Sequence, residues 1–141
     1  MPSIARRYVA YGSNMSRVQM AERCPAARPL GVAALPGRRF VINRDGFATL
    51  VAAPAECAYG LVWTLDAADE SNLDRYENVA AGEYRKETVM LAEFGAALIY
   101  IAADATPGQP VPGYLEGILA AAAAAGLPRA YQAELARWRA A

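Results

Sequence analysis

Residues 7–20 read RYVAYGSNMSRVQM, an apolar strand running straight into a Gly-Ser-Asn turn and then a helix. Tyr8 to Tyr11 is continuously apolar, the pattern of a strand covered on both faces. Ser16 to Cys24 has helical spacing, with Val18 close to Met15 and Ala21, until Pro25 stops it. Two small polar residues, Ser13 and Asn14, therefore sit where a core strand ends. They either cap the helix or hold a ligand. A helix start carries unpaired N–H groups and a positive dipole end that attract carboxylates and phosphates. Gly12 lets backbone approach such a ligand closely. The segment is no phosphate loop, because no Gly-Lys-Ser/Thr follows its one glycine. On the residues alone, capping is the commoner outcome.

Working outward, RRFVINRDGFATLVAA reads as two strands joined at Asp45-Gly46, and CAYGLVWTL as another apolar strand with Gly60 as its bulge. DAADESNLDRYENV is a short helix with Asp66 as N-cap, an acidic first turn, and Leu73 and Tyr76 on one face. EYRKETVMLA alternates, with Tyr84, Lys86, Thr88 and Met90 opposite Arg85, Glu87, Val89 and Leu91, and GAALIYIA is a buried strand. Past the proline-rich ATPGQPVPG, a helix runs from about Tyr114 to Gly126 as its C-cap. A last helix starts at Pro128 with Tyr131, Leu135 and Trp138 along one stripe. Five or six strands with one early, one central and two C-terminal helices make an α+β domain around a strongly curved sheet or small barrel, expected as a single domain over residues 1–141.

Composition narrows the chemistry. A chain of 141 residues buries roughly two-thirds of its unfolded surface. No apolar run reaches the roughly 18 residues of a membrane span, and MPSIARR lacks the apolar stretch of a secretory signal. A soluble, cytoplasmic protein is expected. Cys24 and Cys57 have no metal-ligand spacing and read as reduced, partly buried thiols. There is no histidine, which removes Ser-His-Asp and Cys-His arrangements, most zinc sites and the usual base near neutral pH. Acid–base work falls to carboxylates, tyrosines, the single lysine Lys86 or the N-terminal amine. Residues 1–50 carry eight arginines against Glu22 and Asp45, but the arginines are scattered, so no nucleic-acid partner is expected.

Glu77 is the second candidate site residue. It ends the acidic helix, where the dipole disfavours a carboxylate, and precedes Asn78, which tolerates left-handed backbone. Glu83 and Glu87 compete with it on equal terms, and sequence physics leaves the choice open.

YVAYGSNM, LDRYENVAAGEYRKETV, PVPGYLEGIL and GLPRAYQAEL occur in this order, and together they resemble the γ-glutamylcyclotransferase family of AIG2-like proteins. The resemblance covers essentially the whole chain. It implies a small mixed, partly closed β-barrel flanked by helices, and a reaction. In that reaction the α-amino nitrogen of a γ-glutamyl amide attacks its own side-chain carbonyl, giving 5-oxoproline and a free amino acid or amine. The family needs no metal or organic cofactor. It assigns the general acid/base to the glutamate of LDRYENV, here Glu77, whose pKa partial burial must raise. Tyr8, Val9, Ala10, Tyr11, Gly12, Ser13 and Asn14 then hold the glutamyl group, with backbone N–H groups for the oxyanion. Tyr84 and Tyr114 match pocket positions whose hydroxyls bind the substrate carboxylate or simply fill the barrel end. Loops such as ATPGQPVPG are expected to build the leaving-group side. The family's glycine after the glutamate is Asn78 here, still compatible with a positive φ. Expected partners are a small γ-glutamyl substrate and, for assembly, nothing beyond a monomer or homodimer. The competing functions are cyclisation of a γ-glutamylamine or other γ-glutamyl metabolite, and a non-catalytic binding module that kept the pocket.

Overall fold

Strand β1, Arg6–Ala10, occupies the middle of one five-stranded sheet, so its apolar run is covered on both faces. The computed structural model describes residues 6–139. On one side β1 pairs antiparallel with β3, Ala48–Leu65, and on the other it runs parallel to β5, Gly95–Ala102, with Tyr8 opposite Leu98. Strand β2, Arg28–Ile42, flanks β3, and β4, Tyr84–Leu91, flanks β5. The sheet curls without closing. Its two edge strands approach at Arg38 and Glu87, 3.8 Å apart, while the start of β3 reaches the end of β5 where Ala102 N donates to Thr49 Oγ1 at 3.0 Å. The α+β, partly closed architecture is therefore as expected, with five strands.

The sixth strand disappears because ATLVAA and CAYGLVWTL are one continuous strand, β3. Pro54 lies in the 53–56 stretch that has no partner on β2, so its missing N–H costs no ladder bond. Strand β2 starts ten residues before the RRF where it was expected. Its Pro29 and Pro36 adjoin register shifts on an edge strand, the positions where a sheet tolerates proline. Gly60 is no bulge: it stays in register opposite Ala33, and a Cβ there meets Ala10 O at 2.5 Å and Val9 Cγ2 at 2.8 Å. The Asp45-Gly46 hairpin forms, with Gly46 at φ +90° and the Asn43 side chain accepting from the Asp45 and Phe47 amides.

The helices are α1, Arg17–Arg23; α2, Ala67–Tyr76; α3, Tyr114–Ala125; and α4, Arg129–Ala136. Asp66 caps α2 as expected, accepting from Asp69 N at 2.8 Å. The cap of α1 is Ser16, and the Gly-Ser-Asn turn before it is a separate 3-10 turn, Ser13–Met15, with no side-chain cap. Capping by Ser13 or Asn14 is thereby excluded. Val18 is 75% exposed, and Met20 takes the inward position of α1 instead. Leu73 and Tyr76 also part company: Leu73 is fully buried, whereas Tyr76 stands at the surface under the Arg23 guanidinium. On β4 the first face is covered only as far as Lys86, which is held by Glu70 and Asp74 of α2; beyond it Met90 is exposed and Leu91 is buried. Among the described residues no helix is long and apolar enough to cross a membrane.

Two glycine substitutions test this packing in opposite directions. Gly60→Ala lowers unfolding free energy by about 1–3 kcal/mol through overpacking against β1. Gly117→Ala, on the open face of α3, raises it by about 0.5–1 kcal/mol. Denaturant titration of both variants reads the two signs.

Candidate active site

The end of β1 opens into a cavity of about 270 Å³. Its walls come from Tyr8 of β1 and the turn that follows it, α1, the start of β3, the end of α2 with the start of β4, Tyr100 of β5, and the start of α3. Of the residues expected from the sequence, Tyr8, Tyr11, Gly12, Ser13, Asn14, Glu77, Tyr84 and Tyr114 line it together. Val9 and Ala10 do not: their side chains are closed into the core, opposite Val62 and Leu61. None of residues 105–113 lines the cavity. That loop straps the β2–β3 hairpin instead, with Gly108 N on Ile42 O and Val111 N on Gly46 O, which corrects its expected place on the leaving-group side.

Glu77 reaches the cavity because α2 ends there. Its own N–H closes the last turn on Leu73 O at 2.8 Å, and Asn78 follows at φ 54°, ψ 45°, so asparagine does make the left-handed bend. The carboxylate faces the turn after β1, with Asn14 Nδ2 donating to Oε1 at 3.4 Å. Burial pushes Glu77 up from 4.5 to about 7, opposed by the Arg23 guanidinium. The other acid–base candidates fall away. Lys86 is spent on Glu70 and Asp74, Glu87 pairs with Arg85 at 2.6 Å, Glu83 is exposed at the mouth, and the N-terminal amine lies outside the described residues.

Six tyrosines line the cavity, so most of its polar wall is neutral. Burial pushes Tyr8, Tyr11 and Tyr84 well above the ordinary phenol range and Tyr114 up to about 12, which keeps them as hydrogen-bond donors near neutral pH. Two of them grip one residue of β3: Tyr84 Oη donates to Ala48 O at 2.8 Å, and Tyr114 Oη accepts from Ala48 N at 3.1 Å. Tyr84 has thus spent its proton as a brace, while Tyr114 keeps one to offer. Gly12 lies against this pair, since a Cβ there meets Ala48 Cβ at 3.3 Å and Tyr114 Oη at 3.5 Å.

Sequence reasoning missed Gln19, Arg23, Phe47, Ala48, Tyr76 and Tyr100 as lining residues. The usable signal was the i, i+4 spacing of Gln19 and Arg23, which puts both on one side of α1. Among the described residues no group of three or more Cys, Asp or Glu is placed to hold a metal ion.

The AIG2-like family model matches residues 58–135, more than half of the chain, including the segment that delivers Glu77 and Tyr84. The chain belongs to the AIG2-like family. This AIG2-like protein is 29% identical over 142 residues to the γ-glutamylcyclotransferase of Homo sapiens, covering 91% of this chain and 76% of that one. The γ-glutamylcyclotransferase of Mus musculus matches at 28% over the same shares. A solved γ-glutamyl cyclotransferase structure superimposes with a TM-score of 0.89 at 26% identity, over 98% of this chain and 90% of that one. The fold expected of this family is the fold observed.

The raised Glu77 pKa carries a stability consequence. The folded protein binds this proton more tightly than the unfolded chain, so the stabilisation is complete below about pH 4.5 and is lost as pH rises to about 7. Above that range, holding the anion in the cavity costs about 3–4 kcal/mol, at about 1.4 kcal/mol per pKa unit. Glu77→Gln is therefore more stable than wild type at about pH 8, and the difference shrinks toward zero near pH 4. Urea unfolding at both pH values measures it.

Proposed function

We infer that this protein is a cyclotransferase that converts a γ-glutamyl amide to 5-oxoproline and a free amino acid. One observation carries the reading: a desolvated carboxylate, Glu77, shares a cavity with the Gly12–Asn14 turn. Support also comes from relatives that bear the name γ-glutamylcyclotransferase.

The chemistry asks little of the protein beyond what the cavity holds. Folding the glutamyl group so that its α-nitrogen lies over its own δ-carbonyl makes the attack intramolecular, and no enzyme nucleophile is needed. Glu77, ionised in part at neutral pH, takes a proton from the α-ammonium. The freed nitrogen forms a C–N bond to the δ-carbon, and the carbonyl electrons move onto oxygen. Backbone N–H groups of the Gly12–Asn14 turn stabilise that oxyanion. As the tetrahedral centre collapses, protonated Glu77 returns its proton to the amide nitrogen and the old C–N bond breaks. A second proton passes from the ring nitrogen, so the leaving amine departs as an ammonium and no atom is left over. Tyr114, with its free hydroxyl proton, binds the substrate carboxylate, while Tyr84 braces the wall through Ala48. The cleavage is lyase-like and uses no cofactor.

The test is 5-oxoproline release from a panel of γ-glutamyl dipeptides and γ-glutamylamines. Wild type is expected to turn over, with kcat/KM rising through about pH 7 as Glu77 ionises. Glu77→Gln is expected to stay folded and lose turnover by at least about a hundredfold. The best substrate in the panel fixes the leaving group. Comparable turnover by the variant removes Glu77 as the base, and a silent panel with folded protein transfers the reading to a binding module.

A further inference from the structure

Asn14 is 4% exposed, and its amide has no hydrogen-bonding capacity left for a ligand. Its Oδ1 accepts from Gln19 Nε2 at 2.9 Å and from Arg23 at 3.0 Å, using both lone pairs. Its Nδ2 donates to Tyr8 Oη at 3.0 Å and to Glu77 Oε1 at 3.4 Å, using both protons. An amide of this kind has two nearly isosteric orientations, and neighbours decide between them. Gln19 cannot decide, because it too can turn over and accept instead of donate. Tyr8 cannot decide either, since a hydroxyl both donates and accepts. Arg23 has only donors, so the Asn14 carbonyl must face it and the NH2 group must face Glu77. The guanidinium is itself fixed, stacked 4.3 Å above the centre of the Tyr76 ring.

We propose that Arg23 is a positioning residue that acts through Asn14: it sets the orientation of the Asn14 amide, and thereby keeps an N–H donor on the Glu77 carboxylate. Turned the other way, Asn14 would present its carbonyl oxygen to Glu77, a repulsive contact with the anion. Asn14, expected from the sequence to hold the glutamyl group, becomes the connector between α1 and the acid/base, and Gly12 and Ser13 are left for the substrate, since Tyr11 Oη donates to Tyr100 O.

Glu77 is faced by Tyr8 from β1, Tyr11 from the turn after it, Tyr84 and Glu83 at the start of β4, Tyr114 from α3 and Arg23 from α1. The phenols stay neutral across the range in which Glu77 titrates. Arg23 is the cation lining this cavity among the described residues, and its charge favours the ionised form of Glu77.

The test reads the amide directly, in the full-length protein by NMR. In wild type the Asn14 side-chain NH2 signals are expected to shift with the same midpoint as the Glu77 carboxyl. In Arg23→Gln they should cease to follow it and the Glu77 midpoint should rise, while Arg23→Lys, with charge and donors restored, recovers much of both. A second readout rests on the cyclotransferase reading: Arg23→Gln and Asn14→Ala each lower kcat about 10- to 100-fold, and the double variant falls little further than Asn14→Ala alone. Asn14 signals that track Glu77 equally well in Arg23→Gln overturn the proposal, and so do losses that multiply in the double variant. If wild type turns over nothing, the cyclotransferase reading fails and the NMR titration alone decides the role of Arg23.

Discussion

Burying one carboxylate governs the arrangement around it. Glu77 stands at the C-terminal end of α2, where the helix dipole opposes a negative charge, and it is withdrawn from water as well. A protein that needed only stability would place a neutral residue there. The cavity compensates in part, with one guanidinium at a distance and one amide N–H at 3.4 Å. Full neutralisation by a direct ion pair would hold the carboxylate in its ordinary acidic range and leave a weak base. The remaining wall is mostly phenolic, and neutral hydroxyls add no charge of their own beside the buried carboxylate.

The elements that carry strong local signals were legible in the sequence. The apolar β1, the Asp45-Gly46 turn, the Asp66 cap and the Gly126 C-cap all follow from residue chemistry that tertiary contacts do not override. Strand β2 was half hidden, because Pro29, Gly31, Pro36 and Gly37 erase the local strand signal that pairing with β3 restores. Gly60 was misread for a related reason. A strand glycine signals either a bulge or a close approach, and only the third dimension shows Ala10 O standing 2.5 Å from its missing Cβ.

The site divides along the same line. Residue pattern singled out the turn after β1, and the resemblance to a family picked Glu77 from three equal carboxylates. Neither could show that Val9 and Ala10 face the core, or that loop 105–113 is a strap for the hairpin. Arg23 escaped notice because one arginine among eight in the first fifty residues has no local distinction. Its role depends on Asn14 and Tyr76, one nine residues before it and the other fifty-three after it.

The position of β1 also bears on the order in which the chain assembles. β2 and β3 are neighbours in sequence and can zip from the Asp45-Gly46 turn at small loop-closure cost, as β4 and β5 can around residues 92–94. β1 must enter between these two hairpins, pairing with Leu61–Leu65 on one side and Leu98 on the other, across long stretches of chain. Without β1 the two hairpins joined by α2 would leave a slot between β3 and β5, and the cavity is complete only with β1 in place. Any loosening of β1 therefore takes Tyr8 and the turn that follows it out of the cavity together.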